Sequence, residues 1–208
     1  STTNAGPYFE RATSGAEFRL SRYFVNFDTS AVGTDVVSSA IMSIYVHATP
    51  WDSFNESDSY ATVINHLPAS DGSPVLADFD TVYATDDTNP LVAGKAMKEM
   101  CDSGQRRDFT TATLGFHDYT LNATGIAAID GASYTNLGLA VGKDKDDTDA
   151  GSGVYKLEGL QYRGVGYAGT SSDPKLVIEH AAAVTAFLKS INGLAKASIK
   201  SWNGVILK

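Results

Sequence analysis

Hydrophobic and polar residues alternate along short segments of this chain. In residues 39–47, apolar side chains occupy one phase of the alternation and mostly polar ones occupy the other. The two sets are Met42, Ile44 and Val46, and Ser43, Tyr45 and His47. A period of two is typical of a strand with one buried face. The pattern therefore predicts a half-buried β-strand.

Other segments with alternation or short apolar runs predict more strands. They lie at residues 18–27, 60–67, 113–121, 136–141, 154–162 and 175–180. Helix signals are short, one at 122–129 with Thr124 as N-cap and one at 91–100 that Gly94 weakens. About seven short strands with scarcely any helix predict an all-β fold, a jelly-roll-like sandwich of two antiparallel sheets over residues 18–180. Residues 1–17 predict an N-terminal arm or a first edge strand.

Residues 181–208 form a tail with a repeated motif. Lys189-Ser-Ile-Asn-Gly-Leu194 recurs eleven residues later as Lys200-Ser-Trp-Asn-Gly-Val205. Asn-Gly between apolar neighbours indicates a hairpin, because both residues tolerate the positive φ of a type I′ turn. The repeat predicts a small meander with strands at 186–191, 194–202 and 205–208. Its apolar residues, which we expect to form an assembly interface, are Phe187, Ile191, Leu194, Ile199, Trp202, Val205 and Leu207.

Such a meander cannot bury enough apolar surface to be stable by itself. It therefore packs either on its own sandwich or on a neighbouring copy. The charge distribution favours the neighbour, because all 24 acidic residues lie in residues 1–180 with 12 of the 16 Lys and Arg. The tail carries four Lys and no acid. This asymmetry is typical of self-association, and the net charge of −8 argues against nucleic-acid and anionic-membrane partners.

One segment, residues 143–149, is dense in carboxylates. Its acidic members are Asp144, Asp146, Asp147 and Asp149. Oxygen-rich loops suit Ca²⁺, which takes six to eight hard ligands. The segment is either a solvated loop or a Ca²⁺ site, and we expect no other cofactor. It is not an EF-hand, because the position of the bidentate Glu is occupied by Tyr155.

Motifs of common enzymes are missing from the sequence. The four histidines lack zinc-motif spacing, and no G-x-S-x-G nucleophile elbow occurs. Residues 164–169 match G-x-G-x-x-G, but a strand rather than a helix is predicted to follow, so a nucleotide site is excluded. Cys101 is the single cysteine, which rules out an intramolecular disulfide. These observations favour a non-enzymatic protein.

Three aromatic residues flank a polar loop. Trp51, Phe54 and Tyr60 are the residues concerned. Sugar rings stack on exposed aromatic faces, so this group is a candidate glycan site. Alternatively, the three rings cap the end of the sandwich core.

Several motifs carry a resemblance to a known family. They are Phe24-Val-Asn-Phe-Asp-Thr-Ser30 with residues 37–46, Tyr119-Thr-Leu-Asn-Ala-Thr-Gly125 with 136–139, and Ser172-Asp-Pro-Lys-Leu-Val-Ile178. In this order they resemble DNRLRE-type β-sandwich domains, and the chain departs from that pattern at residues 91–108. The resemblance implies a fold like that of carbohydrate-binding modules, as found in bacterial cell-surface proteins, secreted enzymes and tailed-phage structural proteins. The ending around Ile191-Asn-Gly193 and Trp202-Asn-Gly204 is similar to the C-termini of virion proteins.

These observations together predict a non-enzymatic virion structural protein, such as a capsid decoration or fibre protein. We expect it to lie on the virion exterior and to bind copies of itself and a larger protein scaffold such as a capsid, through the tail. Two alternatives stay open. One is a carbohydrate-binding module of a cell-surface or secreted protein, which would bind a glycan. The other is the subunit of an extracellular filament.

Overall fold

The computed structural model describes twelve stretches of the chain. They are residues 6–11, 18–52, 59–66, 81–89, 91, 95–148, 156–163, 170–182, 190–191, 194–195, 201–202 and 205–206. Most of the described residues form two antiparallel sheets with few helices, which confirms the all-β, sandwich-like fold. None of the helices in these stretches has the length and apolar character needed to cross a membrane.

Fourteen strands and two short helices are present in the described stretches. In chain order they are β1 (Tyr8–Arg11), β2 (Phe18–Ser21), β3 (Tyr23–Asp28), β4 (Val36–Asp52), β5 (Tyr60–Asn65), β6 (Arg107–Asp108), β7 (Gly115–Thr120), α1 (Ala123–Ala127), β8 (Tyr134–Val141), α2 (Gly142–Asp146), β9 (Lys156–Tyr162), β10 (Lys175–Ala181), β11 (Ser190–Ile191), β12 (Leu194–Ala195), β13 (Ser201–Trp202) and β14 (Val205–Ile206).

The larger sheet is organised around β4. Its strand order is β10-β4-β9-β1-β2, and β7 also pairs with β4. Residues 41–43 pair with β10 and with β7, so these two strands lie on opposite edges of β4. The second half of β4 pairs with β9. Strand β1 lies between β9 and β2, so the N-terminal strand is inside the sheet and not at its edge.

The smaller sheet has the order β3-β8-β5-β6. Residues 82–101 approach its β5 side through single bridges, such as Ile64 to Glu99 and His66 to Val82. The helix predicted at 91–100 is wrong for residues 95–100, because their backbone donors are used elsewhere. Met97 N–H donates to Lys145 O at 2.7 Å, and Met100 N–H donates to Val63 O at 2.8 Å. Tertiary pairing has therefore replaced local helix bonds.

The alternation along β4 separates core from surface, as predicted. Met42, Ile44 and Val46 are 0% exposed, whereas Ser43 and Tyr45 on the other phase are half-buried. The inward phase packs against residues of the smaller sheet, namely Val25, Ala61, Val63, Leu137, Leu139 and Val141. One core therefore joins both sheets.

Two tyrosines bury their hydroxyl groups in this core. The Tyr119 and Tyr162 hydroxyl oxygens are 2.9 Å apart, and both side chains are fully buried. Burial raises the pKa of both hydroxyls well above the ordinary value. Both residues are therefore neutral, and each satisfies the other's polar group without a charge in the core.

The N-cap of helix α1 lies two residues earlier than predicted. Asn122, not Thr124, is the N-cap, and its side chain accepts a hydrogen bond from Gly125 N–H at 2.9 Å. Both residue types favour this position. Asn122 occupies it because its own N–H is already bonded to Met100 O at 2.9 Å, which holds the extended backbone of a cap.

The tail contains two separate hairpins. Ile191 pairs with Leu194 and Trp202 with Val205, which is the pairing that a turn at each Asn-Gly predicts, and the two Asn-Gly pairs themselves lie outside the described residues. The predicted single strand at 194–202 stays a prediction. Its ends belong to β12 and β13, which lie in different two-stranded sheets, and residues 196–200 lie outside the described stretches.

We predict that the two phases of β4 differ sharply in their contribution to stability. Ile44→Ala should lower the free energy of unfolding by about 2–5 kcal/mol, because it leaves a cavity in the shared core. Ile41→Ala is the matched control, because it makes the same change on the solvent-facing phase and should cost much less. Urea unfolding of both variants measures the difference. Equal losses would contradict the assigned faces.

Candidate functional site

The Asp-rich segment is not a solvated loop at its start. Residues Gly142–Asp146 form α2, in which Asp144 is only 8% exposed. The Arg22 guanidinium donates to both Asp144 oxygens, Nε to Oδ2 and Nη2 to Oδ1, each at 2.8 Å. Both side chains of this pair are buried. Because Arg22 occupies both oxygens of Asp144, this carboxylate serves the fold and does not face an open cation site.

Asp146 and Asp147, the two other described aspartates of the segment, make contacts of their own. Asp146 accepts a hydrogen bond from the Tyr60 hydroxyl at 2.9 Å, and Asp147 is the left-handed C-cap of α2. Asp149 lies outside the described residues. Within the described part of the chain, no three His, Cys, Asp or Glu side chains are grouped so that they could hold a metal. A Ca²⁺ site at 144–149 stays a prediction.

Of the three candidate glycan aromatics, the structure describes the side chain of Tyr60 alone. Tyr60 is only 5% exposed, and the guanidinium of Arg106 lies 4.4 Å from the centre of its ring. Burial, followed by the hydrogen bond to Asp146, raises the pKa of its hydroxyl. Tyr60 therefore caps the core, which corrects the glycan assignment. The side chain of Trp51 and the whole of Phe54 lie outside the described part.

A carboxylate that sequence analysis missed connects three parts of the fold. Glu99 accepts two hydrogen bonds from Arg106, at 2.8 and 2.7 Å, and one from the Thr62 hydroxyl. Lys145 Nζ is 3.9 Å away. Burial alone would raise the pKa of Glu99, but the bonds from Arg106 and Thr62 outweigh it and lower the pKa. The charged Glu99 thus clamps residues 99–106 to β5 and α2.

The outer face of the larger sheet carries an aromatic pair. Tyr45 of β4 and Phe116 of β7 are direct cross-strand partners, and their rings meet edge to face, with centroids 5.2 Å apart. Arg163 lies 4.9 Å from the Tyr45 ring and Lys175 lies 4.5 Å from the Phe116 ring. We call these four residues the cation–aromatic row. Phe116 is 39% exposed, so the row is accessible to a ligand.

The sequence did contain a signal for this row. Tyr45 stands on the polar phase of β4, and Phe116 stands between Gly115 and His117 on the solvent-facing phase of β7. An aromatic residue on the polar phase of a predicted strand is a candidate binding residue. That the two rings touch follows only from the pairing register of the strands.

A polar cleft of about 260 Å³ lies beside Phe116. Its wall includes Arg107 and His117, and the His117 ring, 7% exposed, donates from Nε2 to Thr113 O at 2.7 Å. Burial and the nearby positive charge of Arg107 lower the pKa of His117, so the ring is neutral near pH 7. Its Nδ1 is then an acceptor, and no partner for it exists among the described residues.

The tail residues predicted as an assembly interface are only partly described. Ile191, Leu194, Trp202 and Val205 lie in strands β11 to β14, and their side chains are not described. Phe187, Ile199 and Leu207 lie outside the described part. What the structure adds is the pairing of the two hairpins.

No match was found when the chain was compared with protein-family models, curated proteins and solved structures. The resemblance to DNRLRE-type domains therefore stays a prediction from the motifs quoted above. The candidate surfaces are defined by their geometry alone.

We predict that Arg22 and Asp144 act as a pair. Arg22→Ala should lower the free energy of unfolding by about 3–5 kcal/mol, because it leaves the buried Asp144 charge uncompensated. Arg19→Ala, three residues earlier, removes an arginine that is 65% exposed in its pair with Glu10 and should cost about 1 kcal/mol or less. Chemical denaturation of both variants measures the contrast. If both changes cost the same, the buried pair is not a constraint on the fold.

Proposed function

We propose that this chain is a non-enzymatic structural protein that assembles with copies of itself through residues 181–208, as an exterior protein of a virion would. The single observation that carries the proposal is the form of the tail. Among the tail residues that the structure describes, each hairpin pairs two residues with two, Ser190–Ile191 with Leu194–Ala195 and Ser201–Trp202 with Val205–Ile206. Within the described stretches neither hairpin pairs with a strand of the two larger sheets.

Hairpins of this size are not stable alone in water. Independent stability takes three or more strands with a covered apolar face. The tail carries the seven apolar residues predicted as the interface and also Val184, Leu188 and Ile206, which is more apolar surface than a free segment exposes. It therefore needs a surface to pack on.

Charge indicates which surface this is. Residues 1–180 carry 24 acidic and 12 basic residues, and the tail carries four Lys and no acid. A basic tail is attracted to the acidic body of another copy, and the attraction also speeds association. A capsid or similar scaffold offers many such bodies in a regular array. The virion setting itself comes from the resemblance of the motifs and of the tail to phage structural proteins.

We predict that Trp202→Ala weakens assembly most among single tail substitutions. Large aromatic side chains dominate small interfaces, so the dissociation constant of the oligomer should rise at least about tenfold. Light scattering over a concentration series measures it, with Ile191→Ala and Val205→Ala as comparison variants. Leu114→Ala is the control outside the tail, because it removes an apolar side chain that is 61% exposed on the body.

Deletion of residues 184–208 should leave the sandwich folded, with a modest loss of melting temperature, and abolish assembly. The opposite result is a deletion variant that unfolds together with a full-length chain that stays monomeric at high concentration. That result would place the tail in the core of its own domain and refute the proposal.

Glycan binding is a second candidate function, and the cation–aromatic row is the observation that favours it. The Tyr45 and Phe116 rings offer apolar faces on which a sugar ring can stack. Arg163 and Lys175 stand at the two ends of the row, where their N–H groups can donate to sugar oxygens.

We predict that Tyr45→Ala and Phe116→Ala each weaken glycan binding at least about tenfold while the protein stays folded. Tyr134→Ala is the matched control, because Tyr134 is similarly exposed, at 38%, but belongs to the other sheet. A glycan array followed by calorimetry gives the affinities. If the full-length protein binds no glycan, or if the control loses as much affinity, the row is not a glycan site.

A further inference from the structure

Strand β10 lies at one edge of the larger sheet as the described residues form it. Within the described residues, β10 pairs with β4 and with no other strand. On the far side of β4, Leu121 N–H donates to Ala40 O at 2.9 Å, so Ala40 directs its backbone groups at the β7 side. Along a strand, the N–H and C=O groups of successive residues point alternately to one edge and to the other. The N–H and C=O groups of Ile41 and Ser43 therefore point to β10.

The same alternation applies to β10. Ile41 faces Val177 and Ser43 faces Lys175, so these residues of β10 exchange hydrogen bonds with β4. Leu176 and Ile178 consequently direct their N–H and C=O groups away from β4, at the open edge of the sheet. An edge of this kind is a template for another strand.

Apolar side chains lie beside this edge. Val177 of β10 is 57% exposed and Val36, which pairs with Ala181, is 61% exposed. A bulge between Glu179 and His180 ends the regular pairing, so the usable edge runs from Lys175 to Glu179. This length accommodates the two residues described in each tail strand.

We infer that the β10 edge of one copy is the acceptor for the terminal hairpin, residues 201–206, of a second copy. The inference rests on the proposed assembly through the tail and names its partner surface. Addition to β10 would turn the hairpin into part of a sheet of more than three strands, which removes its instability. The basic tail would also enter the field of the acidic body of the partner copy.

Two observations favour a second copy over the chain's own edge. Each chain has two hairpins, whereas one edge of about five residues accepts one of them. The 190–195 hairpin follows β10 more closely in the chain and is the nearer occupant of the chain's own edge, whereas the 201–206 hairpin is separated from β10 by a longer segment and can extend to a neighbouring copy. The 201–206 hairpin contains Trp202, which brings the largest apolar surface of the tail to the exposed Val36 and Val177.

The test is a disulfide between two differently substituted chains. Full-length Val177→Cys protein is mixed with full-length Ile206→Cys protein under mild oxidation, and mixed dimers are resolved on a non-reducing gel. Native Cys101 is 1% exposed and stays out of the reaction. We expect several-fold more mixed dimer than in a parallel mixture with Leu20→Cys, which is 38% exposed on β2 at the other end of the sheet.

A charge change at the edge gives a second readout without a new thiol. Val177→Lys should raise the dissociation constant of the oligomer about tenfold over that of Val177→Glu, because only the lysine repels the basic tail. Equal constants overturn the inference. Oligomers that form without excess mixed disulfide also overturn it, and leave the proposed assembly intact. A third chain carries both Val177→Cys and Ile206→Cys, and a disulfide that forms only within the monomer of this chain refutes both the inference and the proposed assembly.

Discussion

Strand β4 constrains the rest of this structure through its pairing. This strand is 17 residues long, and it pairs with β10 on one edge, with β7 on the other and with β9 further along. Because side chains alternate between faces, the register of β4 decides two things at once. Its inward phase forms the core with the smaller sheet, and its outward phase presents Tyr45 next to Phe116. A slip of one residue would bury Tyr45 and expose Ile44.

Ion pairs fix the position of segments that are not fixed by strand pairing. The acidic excess of residues 1–180 suggests a repulsive body, yet several carboxylates are neutralised inside the fold. Asp144 is paired with Arg22, and Glu99 with Arg106. Buried pairs of this kind add little net stability over apolar side chains, but loss of one partner is costly. They therefore specify where α2 and residues 99–106 dock, and a wrong arrangement would leave a charge buried without a partner.

The surfaces proposed for function consist of residues that do not pack in the shared core. The cation–aromatic row is on the solvent-facing phase of β4 and β7, the open edge is on β10, and the tail hairpins follow β10 in the chain. Lys175 belongs to both regions, because it starts β10 and its Nζ lies over the Phe116 ring. A tail added to β10 would consequently lie next to the row, so assembly and glycan binding on this face would influence each other.

The sequence by itself determined the parts of the fold that local periodicity specifies. Alternation of apolar residues predicted the strands of the sandwich and the buried phase of β4, and the two Asn-Gly pairs predicted both tail hairpins. These features are predictable because side-chain period and turn conformation are properties of a few neighbouring residues. Tertiary structure decided the rest. Backbone N–H groups within residues 95–100 donate to Lys145 and Val63 and do not form a helix. The Tyr60 ring packs under the guanidinium of Arg106. The carboxylate of Asp144 pairs with Arg22, which is 122 residues away in the chain. Contacts of this range depend on sheet order and register, which no local pattern encodes, and for that reason only the folded chain reveals the row of Arg163, Tyr45, Phe116 and Lys175.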